Sequence, residues 1–169
     1  MALAKKLKAF NLFHNGENFV GQVAEVTPPK LTRKTEDYRG GGMNGPIKLD
    51  FGQEGIVLES TFGGLMKTVL KQYGIMKHDG VQLRFAGAYQ SEDSTRPDAV
   101  EIVVRGRHTE IDMGSAKPGD DTSFKVSTSC SYYKLSINSE AIIEIDFINM
   151  IEKVGGDDLL AGLRTAIGL

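Results

Sequence analysis

Three histidines, one cysteine, a glycine triplet and one basic cluster are the residues here whose types could do chemistry. His14, His78 and His108 lie far apart, in segments of different character, with no Cys or carboxylate at metal-ligand spacing beside them. Zinc sites bring paired ligands ~2–4 residues apart, so no metal site is expected. Cys130 alternates with Phe124, Val126 and Tyr132 on the apolar side of a strand-like run, the setting of an inert buried thiol. Gly40-Gly41-Gly42 lacks the following Lys-Ser/Thr and the leading apolar strand of a phosphate loop. No Gly-x-Ser-x-Gly elbow and no dinucleotide fingerprint occur. Arg105-Gly106-Arg107-His108 reads either as an exposed strand end or as a phosphate site, with Glu110, Asp112, Asp120 and Asp121 near enough to neutralise it. These residues point to no enzyme, and they imply no cofactor.

The elements that carry these residues read as β structure. Phe10–Phe13 and Phe19–Val26 flank His14-Asn15-Gly16-Glu17, where Asn-Gly favours a tight hairpin turn, and Pro28-Pro29 ends the second strand. Apolar alternation predicts half-buried strands over Ile47–Phe51 and Ile56–Phe62, then over Val81–Tyr89 and Asp98–Ile111. Between them Leu65, Met66, Val69, Leu70 and Tyr73 recur at helical spacing ahead of Gly74, predicting a short helix with its apolar stripe in the core. Thr122–Ile137 is a long strand whose apolar phase flips after Tyr132, to Tyr133, Leu135 and Ile137; such a flip marks a bulge or a switch between packed sheets. Asn138-Ser139 turns into Ala141–Ile145, and Gly155-Gly156-Asp157 is expected to cap a last helix carrying Leu159, Leu160, Leu163 and Ile167. The fold class is therefore mainly β, a β-sandwich or open barrel of two packed antiparallel sheets with one or two short flanking α-helices.

At 169 residues the chain is expected to be one domain, residues 1–169. A formal charge of −2 is not the basic footprint of a nucleic-acid binder. A lone cysteine rules out a disulfide framework and fits a reducing compartment. The opening MALAKKLK is followed by too short an apolar run for a signal peptide, and no run approaches the ~20 residues of a membrane helix, so no membrane anchoring is expected.

Two stretches stand outside the ordinary pattern. Lys30 to Gly55 has a polar left arm and a tip, Tyr38-Arg39-Gly40-Gly41-Gly42-Met43-Asn44-Gly45-Pro46, so the arm either waves in solvent or docks outside its own domain. The odd positions of the long strand, Ser123, Lys125, Ser127, Ser129 and Ser131, form a smooth polar face. Bare sheet edges joined head to tail would make a ring or helix, with that face lining a bore. The same pattern also suits a solvated sheet face in a monomer.

Pro29-Lys30-Leu31-Thr32-Arg33-Lys34, Tyr38 to Met43, Arg105-Gly106-Arg107 with Glu110-Ile111-Asp112, Tyr132-Tyr133-Lys134-Leu135, Glu144-Ile145-Asp146 with Asn149, and Ile167-Gly168-Leu169 recur in order through nearly the whole chain. The chain thereby resembles the major tail tube proteins of contractile-tailed bacteriophages and R-type pyocins. The departures are Ser139, where that family usually has the glycine of a hairpin turn, and Gly155-Gly156, where it usually has Asn-Gly. The resemblance implies a structural subunit, made in the host cytoplasm and placed in a virion tail or secreted phage-tail-like particle. Six subunits form a ring, and stacked rings form a tube. It implies an extended inter-ring loop or hairpin over 38–55, with Tyr38 to Pro46 as contact residues, and ring contacts near the chain ends. The implied partners are further copies of the chain, a contractile sheath, a tape-measure protein, and baseplate and tail terminator proteins. DNA is present only in transit, so Arg105 and Arg107 should be paired with carboxylates or turned from the bore. The alternative reading is a monomeric small β-barrel that binds a ligand in a loop-lined mouth.

Overall fold

The computed structural model describes residues 1–169. β1 (Lys6–His14) turns through Asn15-Gly16 into β2 (Glu17–Asn18); both turn residues have positive φ, 46° and 85°, which Asn and Gly tolerate best. The chain continues as β3 (Val23–Thr27), β4 (Arg33–Tyr38), β5 (Ile47–Gln53), β6 (Ile56–Phe62), α1 (Lys67–Leu70) and β7 (Val81–Gln90). Then come β8 (Asp98–Asp112), β9 (Phe124–Ile137), β10 (Glu140–Asp146), β11 (Ile151–Val154), β12 (Asp157–Asp158) and α2 (Ala161–Ala166). Every strand pair is antiparallel, so the fold is mainly β with two short helices, as the alternation predicts.

Ten strands form one branched sheet, in the order β12-β11-β10-β9-β8-β7-β1-β2, with β6 and then β3 leaving the path at β9; β4 and β5 pair only with each other. The branch lies in β9. Its Phe124–Cys130 half pairs with β6 and its Tyr132–Ile137 half with β10, while β8 follows it along the other edge. Arg105 faces Tyr132 and Gly106 faces Cys130, which leaves Ser131 unopposed as a bulge. Burial changes phase there, from Phe124, Val126, Thr128 and Cys130 to Tyr133, the flip read in the sequence. Gly106 permits this crossing: a Cβ would lie 1.8 Å from the Ser129 carbonyl oxygen.

Both arms of the branch contribute to one core. Leu58 and Phe62 of β6 join Leu83 and Phe85 of β7, Ile102 and Val104 of β8, and Tyr133 of β9 in a single buried cluster. Phe19, Phe62 and Phe124 meet edge to face, with centroids 5.4 and 6.1 Å apart.

Four local expectations are corrected. The run Phe19–Val26 breaks, because Phe19 turns into the core and its carbonyl accepts from Gln22 and Val23 N–H before β3 begins. The helix expected over 65–73 shrinks to Lys67–Leu70: Met66 gives no side-chain cap, and tighter i→i+3 bonds carry the chain to Gly74 at φ 80°. Met66 and Val69 are buried, but Leu65 and Tyr73 are exposed. Gly155-Gly156, at φ 62° and 91°, forms the two-residue turn between β11 and β12 rather than a helix cap. Finally, Ile47, Leu49 and Phe51 do form a strand, yet they are 50%, 38% and 58% exposed because no second layer covers them.

Candidate functional site

β4 and β5 form a two-stranded ribbon with the expected contact residues at its tip. Tyr38 pairs with Ile47, and the chain between them turns at Gly40-Met43, where Met43 N–H donates to the Gly40 carbonyl at 3.3 Å and Gly42 has φ 82°. Side chains stiffen this turn. Arg39 Nε donates to the Met43 carbonyl at 3.1 Å, and Gly40 N–H reaches Met43 Sδ, also at 3.1 Å. Asn44, Gly45 and Pro46 lead into β5.

The two faces of the ribbon differ. Opposed residues in an antiparallel pair point the same way. One face therefore carries Asp37 against Lys48 and Thr35 against Asp50, and the other carries Tyr38 against Ile47 and Glu36 against Leu49. The first face is ion-paired, Lys48 to Asp37 at 2.9 Å and Arg33 to Asp50 at 2.9 Å. The hydrogen bonds from Arg33 and from Gly52 N–H hold the Asp50 carboxyl below its ordinary range. The second face is open, and apart from Glu36 its paired residues and Phe51 beyond them are apolar. At the ribbon's base, Arg33 also pairs with buried Glu152 of β11, tying it to the main sheet.

The serine face lies on the β3-β6-β9-β8 side of the branch. Lys125 stands between Thr61 and Asp112, Ser127 between Glu59 and Glu110, and Ser129 between Val57 and Arg107. Glu25 and Thr27 of β3 extend these rows opposite Thr61 and Glu59. Lys125 is exposed, and Ser123, Ser127 and Ser129 are half-buried. Ser131 departs from the rows: its hydroxyl lies 3.2 Å from His78 Nδ1 and 3.3 Å from the Arg105 carbonyl at the bulge.

The basic cluster divides. Arg105 lies 4.0 Å above the centroid of the Tyr132 ring, whose hydroxyl donates to Glu144 at 3.0 Å. Arg107 stays exposed opposite Ser129 and forms no ion pair, so of the two expectations for it, pairing with a carboxylate is not met.

An apolar groove of about 400 Å³ runs over β1, β7 and β8, lined by Ala9, Ala86, Ala88 and Ala99 among others. Its carboxylates are already engaged, Asp98 by Lys5 and Asn138, and Glu101 by Arg84. No residue of the Tyr38–Pro46 tip lines it. Cys130 is buried, and burial pushes its thiol up to about 12, away from nucleophilic chemistry.

Sequence reasoning missed a union of two histidines. His14 and His108 are both buried and are bridged by Gln72. The burial of each was signalled, though not their meeting: His14 continues the inward alternation of Phe10 and Leu12, and His108 that of Ile102 and Val104.

An uncovered apolar ribbon, a smooth polar sheet face and no reactive constellation describe a part that works by touching other parts. Comparison with known proteins agrees, since the model of the phage tail tube protein FII family matches residues 4–168. The chain belongs to that family. Tail tube proteins are structural components of the phage tail, not enzymes. The chain is 46% identical over 172 aligned positions to the tail tube protein of Escherichia phage P2, covering 100% of both chains. It is 42% identical to the major tail tube protein of Serratia phage KSP20, covering 100% of this chain and 99% of that one. The family fold extends to solved structures at 11% identity. The anti-feeding prophage tube-terminating cap matches with TM-score 0.60, over 80% of this chain and 94% of that one. The tube–sheath assembly of an extracellular contractile injection system matches with TM-score 0.56, over 75% and 87%.

Proposed function

We propose that this chain is the subunit of the inner tube of a contractile phage tail, assembling as hexameric rings that stack into a conduit for DNA ejection. The full-length match to tail tube proteins of two phages favours a phage tail over a bacteriocin particle. The observation that carries the stacking is the ribbon: its ion-paired back is satisfied within the chain, while Tyr38, Ile47, Leu49 and Phe51 are left for a neighbour. In this reading Tyr38 to Pro46 reaches the next ring. The partners are a surrounding sheath, a terminator, a tape-measure protein and a baseplate. The whole of residues 1–169 acts as one tube domain.

The serine face, Ser123, Lys125, Ser127 and Ser129, lines the bore, with Ser131 at its margin. Glu25, Glu59, Glu110 and Asp112 outnumber Lys125 and Arg107 there, so a phosphate backbone is repelled more than held. Weak duplex binding at physiological salt accompanies this placement, and tight binding would remove it.

The test is deletion of Gly40 to Asn44. Electron microscopy is expected to show rings that no longer stack, with the subunit still folded by circular dichroism. Normal tubes from the deletion would assign the contact elsewhere, and a wild-type chain monomeric at every concentration and salt would overturn the assembly itself.

A further inference from the structure

Gln72, in the turns that follow α1, sets its amide between two buried histidines arriving from different strands. Its Nε2 lies 2.6 Å from His14 Nε2 and its Oε1 lies 3.2 Å from His108 Nε2, while His108 Nδ1 is 3.0 Å from Thr128 Oγ1. Gln72 Nε2 also lies 3.3 Å from His14 Nδ1, and with the amide so placed one donor pattern fits. The amide N–H donates to His14 Nε2, so His14 carries its proton on Nδ1. Gln72 Oε1 accepts from His108 Nε2–H, and His108 Nδ1 accepts from the Thr128 hydroxyl. No strand pairing involves residues 63–80; the segment is held at its ends by Gly63 N–H donating to the Gln22 carbonyl and by His78 against the Ser131 hydroxyl, and along its middle by this bridge and the apolar seats of Met66, Val69, Leu70 and Ile75.

We propose that the His14–Gln72–His108 bridge is an acid-released latch that keeps the segment from Gly63 to Gly80 closed on the core. The bridge can absorb one proton. With His14 charged, the amide turns over so that Oε1 accepts from His14 and the amino group donates to His108 Nε2. His108 then carries its proton on Nδ1, where the Thr128 oxygen accepts it. A second proton has no place: two Nε2–H groups would face one amide with a single acceptor oxygen, and two imidazolium charges would stand together out of water.

The surroundings do not relieve that charge. Glu17 of β2 attracts a charged His14 from an exposed position, the Phe19 ring stacks on His14 at 6.4 Å, and the Cys130 thiol stays neutral. Lys71 and Tyr73 beside Gln72, and Arg107 and Glu110 near His108 in sequence, are exposed. Burial, then His14, holds the His108 imidazole down to about 4; burial lowers His14 against the pull of Glu17. Both histidines bind protons more readily once the latch opens. Closure is therefore fully stabilised above the ordinary histidine value of 6.5 and weakens as pH falls through the closed-state values.

Hydrogen exchange of the full-length chain, corrected at each pH against its unfolded form, tests the latch. Between pH 7.5 and 4, protection of amides in 63–80 is expected to fall about 100-fold, while β7, β8 and β9 keep theirs. Gln72→Glu supplies two acceptor oxygens and is expected to retain protection at the acid end; Gln72→Leu is expected to lose it at every pH. Protection that ignores pH, that fails together with β7–β9, or that responds to Gln72→Glu as to Gln72→Leu overturns the latch. The unsubstituted chain gives an independent readout by imidazole NMR. Proton uptake at His14 and His108 is expected to accompany opening, and uptake with the segment still protected contradicts it.

Discussion

At the scale of single residues, two positions carry strain or freedom that can be measured. Ser139 holds φ 69° in the two-residue turn between β9 and β10, beside Asn138 at φ 50°. A serine Cβ disfavours that conformation and glycine does not, so Ser139→Gly is expected to raise unfolding stability by about 0.5–1 kcal/mol. Gly106 is the reverse case. Gly106→Ala drives a methyl into the Ser129 carbonyl, which is backbone and cannot swing away, and about 3 kcal/mol or more should be lost. Urea unfolding of the two variants checks both signs, and a neutral Gly106→Ala would mean that β8 and β9 part at the bulge without cost.

At the scale of elements, the ribbon separates folding from assembly. Leu49 and Phe51 rest on no layer of their own chain, so Leu49→Ser with Phe51→Ser should change subunit stability by less than about 0.5 kcal/mol. The same pair should abolish tubes in micrographs; a large loss of stability would show that the ribbon supports the subunit itself. The sequence made the strands legible because alternation is a local signal, and it made the Ser131 bulge legible because Tyr132 and Tyr133 break phase side by side. It did not separate the two uses of a glycine pair. Gly63-Gly64 precedes a helix and Gly155-Gly156 closes a hairpin, although both flank apolar runs. Exposure of Ile47, Leu49 and Phe51 was illegible for another reason: alternation says which side of a strand is apolar, not what lies across from it. For the candidate site, the arm and its glycine tip could be read directly. The histidine bridge could not, because its partners stand 58 and 36 residues from each other along the chain.

At the scale of the whole molecule, ion pairs make stability depend on acid. Hydrogen bonds from Arg33, Lys5 and Arg164 hold the carboxyls of Asp50, Asp98 and Asp158 below the ordinary value of 3.8. Depressed carboxyls contribute stability that is complete above that value and disappears as pH falls through their folded-state values. Thermal melts are therefore expected to stay level down to the carboxylate range, apart from the histidine contribution, and to drop below it, less steeply in high salt because Asp50 is exposed and Asp98 and Asp158 are only half-buried. A flat profile to pH 2 would mean that these pairs add nothing to the fold. The branch in β9 has a further consequence, for the order of folding. β6 leaves the ribosome with β3 as its one partner, and its other edge waits for Phe124–Cys130, made only after β7 and β8. Closure of the core is thus a late, long-range and slow step, and until it happens an unpaired β6 edge is the place where nascent copies can join each other wrongly.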